Sequence, residues 1–247
     1  DINYEVDKFC KVVVREYGSA RDRGEVVISP DNLYLSLSEL KKSEDAFVDE
    51  LWEFSLESGY CYIKSLIPRV YVDLNRHPLE LDPLMISSKI PNFKQSKSLK
   101  ALSGIGVIPK VSVYGNSIYA DNLSRAEVIK RLLSCYFPYH KMLKYLIKLL
   151  KSKFDDILIL DCHSMPSETL PKSSAEVDII LGNNFGHSIS EKISNSIKKL
   201  DKIESDLKSE KLTCVSFSPS ARLNVVTFSK LFNLIFSSKY LYVVGCG

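Results

Sequence analysis

Several signatures of common enzyme and membrane-protein classes are missing from this 247-residue sequence. It contains no P-loop, no GxSxG turn and no HExxH helix, so three familiar catalytic motifs are excluded. The longest apolar runs, such as LFNLIF, are far shorter than the roughly 20 residues that a membrane-spanning helix needs. The N-terminal residues also lack the charged-then-apolar layout of an export signal. We therefore expect a cytoplasmic protein with no membrane partner.

Cysteine and charge are present in ordinary amounts, but neither forms a pattern with a specific function. The 33 basic and 30 acidic residues are mixed along most of the chain and give a formal charge of +3, so no nucleic-acid partner is indicated. The cysteines form no CxxC pair and mostly lie in apolar runs, which favours reduced, buried thiols over disulfides. They are Cys10, Cys61, Cys135, Cys162, Cys214 and Cys246.

Acidic residues are absent from the last 37 positions, because none follows Glu210. The segment 211–247 is therefore atypical of the rest of the chain. Two interpretations stay open for it. It is either a buried strand, helix and strand that finish the fold, or a C-terminus altered by truncation or frameshift.

The order of strand-like and helix-like segments predicts an α/β fold in a single domain spanning 1–247, since 28.0 kDa suits one domain of ordinary size. A strand, a helix and a further strand in succession imply a βαβ unit. A long amphipathic helical stretch is expected to be broken or bent at Pro138. Strands are predicted at 25–30, on both sides of Pro68 within 61–76, at 106–115, 157–160 and 177–181, and helices at 43–59, 123–153 and 190–211.

The segment Asp161-Cys162-His163-Ser164-Met165-Pro166 directly follows a buried apolar strand. In open α/β sheets, ligands bind at the carboxyl ends of the strands. A neutral imidazole at that end is a good zinc ligand, and an acid two residues away can orient it. The alternative interpretation is a histidine that caps the next turn.

A second candidate site lies in the run from Arg69 to Arg76. Strand alternation would place Arg69, Asp73 and Asn75 on one face, where polar groups need partners. A guanidinium binds a carboxylate through two parallel hydrogen bonds, so Asn75 and Arg76, with Arg69, are candidate anion-binding residues. A structural Arg-Asp salt bridge explains the same pattern. Two weaker features are the aromatic cluster Tyr136–His140, expected mainly in a core or interface, and the loop 182–187.

Taken together and in order, IPRVYVDLNRHP, GVIP, the YxPYH cluster, LILDCHSMP and VDIILGNN resemble the N-formylglutamate amidohydrolase family, over residues 25–190. The resemblance implies a mixed, mostly parallel central sheet flanked by helices, as in zinc carboxypeptidases and aspartoacylase, with one zinc at its carboxyl edge. It also implies hydrolysis of an N-formyl or N-acyl acidic amino acid, a small-molecule substrate.

The resemblance carries over to individual residues. His163 matches a zinc-ligand position, Asp45 matches an acid that becomes the second ligand, and Asp161 and Ser164 fall in the shell around the metal. Asn75 and Arg76 match the clamp for the substrate carboxylate. Asp31 stands where the family has a histidine ligand, and a carboxylate there also binds zinc, with a preference shifted toward harder ions.

The family's general base is a glutamate in its C-terminal part, and this sequence has no acid after Glu210. Loss of such a base is expected to lower the rate by about two to four orders of magnitude. The catalytic residues are therefore unassigned. Two functions follow: a metal-dependent amidohydrolase releasing formate from N-formylglutamate, or a catalytically degenerate homologue that binds a small carboxylate or a protein partner.

Overall fold

The computed structural model describes residues 32–45, 48, 61–65, 67–88, 98–154, 157–164, 179–180, 215–217 and 241–246. The helices are α1 (Leu37–Lys41), α2 (Leu99–Leu102), α3 (Arg125–Arg131) and α4 (Phe137–Lys151), with a 3₁₀ turn at Pro83–Met85 and a π-helical turn at Leu132–Tyr136. The strands are β1 (Cys61–Lys64), β2 (Ile157–Ser164), β3 (Ile179–Ile180), β4 (Val215–Phe217) and β5 (Leu241–Cys246). Within these residues no helix is long and apolar enough to cross a membrane.

The chain divides into two compact units, each described here by itself. The sheet unit comprises residues 1–15, 45–64 and 149–246, and the loop–helix unit comprises 16–44 and 65–148 together with residue 247. All five described strands belong to the sheet unit. The functional side chains treated below therefore fall into two groups, one in each unit.

The described strands form one sheet in the order β1-β5-β2-β4-β3. β5 is parallel to both β1 and β2, and β4 is parallel to β2, whereas β3 runs antiparallel to β4. The sheet is thus mixed and mostly parallel, and β2 occupies its centre. Together with the helices, this sheet confirms the predicted α/β class.

The carboxyl end of β2 extends beyond the described end of its neighbour β5. The described residues of β5 end opposite Cys162, while β2 continues against β4, with His163 paired to Ser216 and Ser164 to Phe217. The last two residues of β2 therefore extend past the described end of β5. This is the sheet edge at which α/β proteins bind ligands.

The loop–helix unit has its own apolar core, which includes Val70, Val72, Leu81, Ile108 and Ile118. α1 begins with a capping box, in which Ser36 and Glu39 satisfy each other's backbone N–H groups. α3 begins at an N-cap, Ser124, whose side chain accepts from the Glu127 amide. These local caps fix where the helices of the unit begin.

Helical structure continues from Arg125 to Lys151, as predicted, but the irregularity precedes Pro138. In the π-helical turn, the Phe137 N–H donates to the Leu132 carbonyl, five residues earlier. A proline inside a helix clashes with the carbonyl four residues before it and offers no N–H. The widened turn accommodates Pro138 without breaking the helix.

Two predicted strands are wrong. The segment from Arg69 to Arg76 is a succession of turns, because the Pro68 carbonyl accepts from the amides of Tyr71 and Val72, and the Asp73 carbonyl accepts from the Arg76 amide. The segment 106–115 is irregular apart from an isolated bridge between Val111 and Ser117. In contrast, β1 lies where a strand was predicted, and β2 begins where predicted but continues past Leu160 to include residues 161–164.

The predicted strand at 25–30, nearly all of the predicted helix at 43–59 and the helix at 190–211 lie outside the described residues. Of the segment 211–247, only the backbones of β4 and β5 are described. The single-domain organisation and the detailed likeness to the zinc-carboxypeptidase sheet stay predictions.

Candidate functional site

A buried carboxylate–imidazole pair lies at the carboxyl end of β2 in the sheet unit. Asp45 Oδ2 is 3.0 Å from His163 Nδ1, and Asp45 Oδ1 accepts a 3.0 Å hydrogen bond from the Ser164 backbone N–H. His163 is only 5% exposed. Both oxygens of one carboxylate are thus held by two consecutive residues of the strand end, which fixes the carboxylate against the imidazole.

The second nitrogen of His163 faces another carboxylate. His163 Nε2 is 3.1 Å from Asp161 Oδ1, and the Asp161 side chain is 41% exposed. Strand alternation explains this proximity, since residues two apart lie on the same face of β2. Cys162 lies between them on the other face and is fully buried. If Nε2–H donates to Asp161, Nδ1 is unprotonated and available to a metal, whereas a direct hydrogen bond to Asp45 Oδ2 requires the proton on Nδ1.

The donor set fits part of a zinc site. Two ligands of a tetrahedral zinc, each bound at about 2.0–2.1 Å, lie about 3.3 Å apart. His163 Nδ1 and Asp45 Oδ2 are 3.0 Å apart, close to that separation. Asp31, the third predicted ligand, lies outside the described residues, and among those described no group of three or more His, Cys, Asp or Glu side chains forms a metal site.

Ser164 adds an unusual buried hydroxyl to this cluster. Its Oγ is buried and makes no hydrogen bond within the described part of the chain. Buried hydroxyls without a partner are rare, and they occur where a ligand or water binds. Binding of a ligand or water is a suitable explanation here, because the polar side chains of His163 and Asp45 lie beside this hydroxyl.

A second cluster, in the loop–helix unit, gathers two arginines around one buried carboxylate. Arg69 Nε is 3.1 Å and Arg76 Nε is 3.6 Å from the same oxygen, Asp73 Oδ2. Asp73 Oδ1 accepts a 2.9 Å hydrogen bond from the Asn75 backbone N–H. Two guanidinium groups thus converge on one carboxylate, an arrangement that concentrates positive charge in this loop.

The Arg-Asp salt bridge that the sequence left open is therefore present at Arg69 and Asp73. It coexists with a second, longer ion pair: Arg76 Nε lies 3.6 Å from Asp73 Oδ2, too far for a hydrogen bond, and this buried nitrogen makes no hydrogen bond within the described residues. Asn75 is exposed. These side chains are grouped by the Asp73 turn and not by strand alternation.

Two supporting groups were given no role at a site by the sequence analysis. In the first, Arg131 is buried, with its Nε 2.8 Å from Glu127 Oε1 and an Nη donating at 2.7 Å to the Tyr119 hydroxyl and at 3.4 Å to the Tyr71 carbonyl. Its guanidinium also lies 4.2 Å from the Tyr71 ring centroid, and Tyr119 donates to the Val70 carbonyl. The only sequence signal for the group around Arg131 was the i,i+4 spacing of Glu127 and Arg131, which lets two side chains meet on one helix face.

The second group joins α4 and the π-helical turn to the loop that runs from Arg69 to Arg76. The Tyr136 hydroxyl donates to the Arg76 carbonyl at 2.9 Å, and His140 Nε2 donates to the Leu74 carbonyl at 3.0 Å. Burial, with Glu80 and Asp73 nearby, raises the pKa of Tyr136 to about 12, so this donor keeps its proton at neutral pH. The aromatic cluster is thus a core element that reaches the site by hydrogen bonding.

We expect His140 to make the stability of the loop–helix unit decrease at acidic pH. Burial, aided by Lys144, lowers the pKa of His140 below its usual value, although the bond to Leu74 acts the other way. The neutral form is therefore favoured by folding. Its stabilising contribution is present above the unfolded-state pKa of about 6.5 and is lost as pH falls through the lower folded-state pKa.

The measurement is urea unfolding at about pH 7 and about pH 5, comparing wild type with His140→Gln. The wild type is expected to lose more unfolding free energy on acidification than the variant does. An equal loss in the two proteins would contradict the assignment. His77→Gln, at an exposed histidine of the same unit, is the control and should follow the wild type.

A mixed α/β sheet with a carboxylate–histidine pair at its carboxyl edge defines an α/β protein equipped to bind a ligand there. The particular family follows from comparison with known proteins. The sequence pattern of the N-formylglutamate amidohydrolase family matches residues 24–212. The chain therefore belongs to the N-formylglutamate amidohydrolase family, which are hydrolases acting on carbon–nitrogen bonds. This confirms the resemblance drawn from the DLNR and DCHSMP segments.

One solved structure supports the same fold. The N-formylglutamate amidohydrolase of Ralstonia eutropha JMP134 matches with a TM-score of 0.69 at 20% identity, covering 84% of this chain and 85% of that one. A gene product of Agrobacterium tumefaciens matches with a TM-score of 0.44 at 16% identity, covering 96% of this chain and 77% of that one. Among curated proteins no match was found.

Proposed function

We propose that this protein hydrolyses the amide of an N-formyl or N-acyl acidic amino acid, with N-formylglutamate yielding formate and glutamate. The observation that carries the proposal is the Asp45–His163 pair, held at the carboxyl end of β2 by the Ser164 amide. Family membership supports the reaction class, and this pair supports the carboxyl end of β2 as the proposed site.

His163 and Asp45 would hold a zinc ion, with Asp31 as the expected third ligand. When bound, zinc supplies polarisation of the formyl oxygen and activation of water. Asp161 would keep Nδ1 of His163 available by accepting from Nε2–H. The Ser164 hydroxyl, buried without a partner among the described residues, is a donor for a bound ligand.

Asn75 and Arg76 would bind the carboxylate of the substrate, and Arg69 would neutralise Asp73 beside them. Arg76 suits this task because its contact with Asp73, at 3.6 Å, is too long for a hydrogen bond, and its buried Nε makes no other hydrogen bond within the described residues. With Asp73 paired to Arg69 at 3.1 Å, the positive charge of Arg76 is not fully compensated. A dicarboxylate substrate supplies the missing negative charge.

The assay is formate release from N-formylglutamate by protein purified without chelators, before and after titration with zinc. Elemental analysis of the same preparation measures the bound metal. Turnover that requires stoichiometric zinc supports the proposal. Zinc-replete protein that binds N-formylglutamate without releasing formate would instead support the degenerate homologue.

Replacing Arg76 by lysine is expected to weaken binding of glutamate or N-formylglutamate about tenfold, close to 1.4 kcal/mol. The charge is kept, but an ammonium group cannot form the two parallel N–H bonds of a guanidinium. Titration calorimetry gives the dissociation constants. Arg125→Lys, on the exposed face of α3, should leave the affinity unchanged. Equal affinities in wild type and Arg76→Lys would remove Arg76 from the site.

A further inference from the structure

The backbone around Asn75 is anchored on two sides. From within its own turn, Asp73 holds the amides: Oδ1 accepts from the Asn75 N–H at 2.9 Å, and the Asp73 carbonyl accepts from the Arg76 N–H at 3.2 Å. The carbonyls on either side of Asn75, those of Leu74 and Arg76, are left for partners elsewhere. An unpaired buried backbone group is costly, so those partners matter.

Both carbonyls find their partner on one helical face. Tyr136 donates to the Arg76 carbonyl at 2.9 Å, and His140 donates to the Leu74 carbonyl at 3.0 Å. Tyr136 and His140 are four residues apart, so they lie one above the other on the helix. The two donors therefore reach two carbonyls that are themselves two residues apart along the loop.

The two donor side chains also hold each other in place. The Tyr136 and His140 rings pack with centroids 4.2 Å apart and an interplanar angle of 37°. The Phe137 and Tyr139 rings approach them edge-on, with centroids 5.5 Å from the rings of Tyr136 and His140 respectively. Each donor thus has its rotamer restricted by packing, which is what a precise site requires of its support.

We propose that Tyr136 and His140 are positioning residues for the Asn75–Arg76 carboxylate clamp, acting through the Leu74 and Arg76 carbonyls. That the clamp binds a carboxylate rests on the proposed function; that these two side chains fix its backbone does not. Neither residue touches the substrate. The cluster YxPYH is thereby linked to DLNR by hydrogen bonds between the helix and the loop.

The first measurement is amide hydrogen exchange in wild type, Tyr136→Phe and His140→Leu. Exchange at Asn75 and Arg76 is expected to accelerate roughly three- to tenfold, the effect of one lost neutral hydrogen bond. The Gly104 amide, bonded to the Ala101 carbonyl in the same unit, should not change. Tyr114→Phe removes an exposed hydroxyl and serves as the matched control.

The second measurement separates positioning from a general structural role. His140→Gln keeps an N–H donor at a similar reach and is expected to restore wild-type exchange at Asn75 and Arg76, whereas His140→Leu does not. In enzyme assays, Tyr136→Phe should raise KM for N-formylglutamate roughly three- to tenfold with little change in kcat, because the clamp contributes uniform binding.

Unchanged exchange at Asn75 and Arg76 in Tyr136→Phe would overturn the positioning role. So would acceleration shared by Gly104, because the effect would then be loss of stability throughout the unit. A fall in kcat at constant KM would equally refute it. Wild-type protein that neither binds nor hydrolyses N-formylglutamate refutes the proposed function, and hydrogen exchange then still decides whether these residues fix the loop.

Discussion

Replacing His163 by alanine is expected to lower formate release from N-formylglutamate by about two to four orders of magnitude, the usual contribution of a group positioned at the reacting centre. His163 contacts two carboxylates, Asp45 and Asp161, at 3.0 and 3.1 Å. Alanine removes the proposed nitrogen ligand and leaves the buried Asp45 carboxylate without its imidazole partner. Bound zinc should fall from stoichiometric to trace amounts in parallel with the rate.

The control is His77→Ala, which removes an exposed imidazole from the other unit and should keep both zinc and activity. Circular dichroism identifies a temperature at which both variants are folded, and rates are compared there. Full activity in His163→Ala would refute the site at the end of β2. Full zinc content with lost activity would assign His163 a role in the reaction other than metal binding.

Replacing Arg131 by alanine is expected to destabilise the protein by about 3–4 kcal/mol, near the low end of the cost of breaking a buried ion pair. The Arg131 side chain is 2% exposed, and its bonds to Glu127, Tyr119 and the Tyr71 carbonyl are lost together. Glu127 lies partly in solvent and can rehydrate, which moderates the cost. Urea unfolding measured by fluorescence and circular dichroism gives the difference.

Arg125→Ala is the matched control, because it makes the same chemical change at an exposed position of the same helix. Its effect should stay within about 0.5 kcal/mol, as for ordinary surface substitutions. Arg131→Met, which refills the volume without the charge, should recover part of the loss. A change below about 1 kcal/mol in Arg131→Ala would show that the cluster is not a principal source of stability.

The strand that leads into DCHS could be predicted because its cause is local. A run of apolar residues from Ile157 to Leu160, followed by polar groups, is what a strand in the centre of a sheet requires. His163 and Asp161 then fall on one face by alternation alone. The contact with Asp45, 118 residues away, came from the family resemblance and not from the pattern.

The segment from Arg69 to Arg76 shows the opposite case. Its β-branched residues and alternating polarity favour a strand, but the buried Asp73 carboxylate pairs with the Asn75 amide and with Arg69. Short acidic side chains compete with strand ladders in this way wherever they bond their own backbone. The roles of Tyr136 and His140 were equally hidden, since their partners are backbone carbonyls, which carry no sequence signal.

The place of β5 in the sheet constrains how the protein is made. β5, the last of the described strands to be synthesised, pairs with β1 on one side and β2 on the other. On the ribosome, β1 and β2 must therefore wait, with no strand between them, until residue 246 has left the exit tunnel. Such late, non-local pairing is slow and exposes unpaired strand edges to chaperones and to other nascent chains. Completion of the sheet between β1 and β2 is thus a late step in folding.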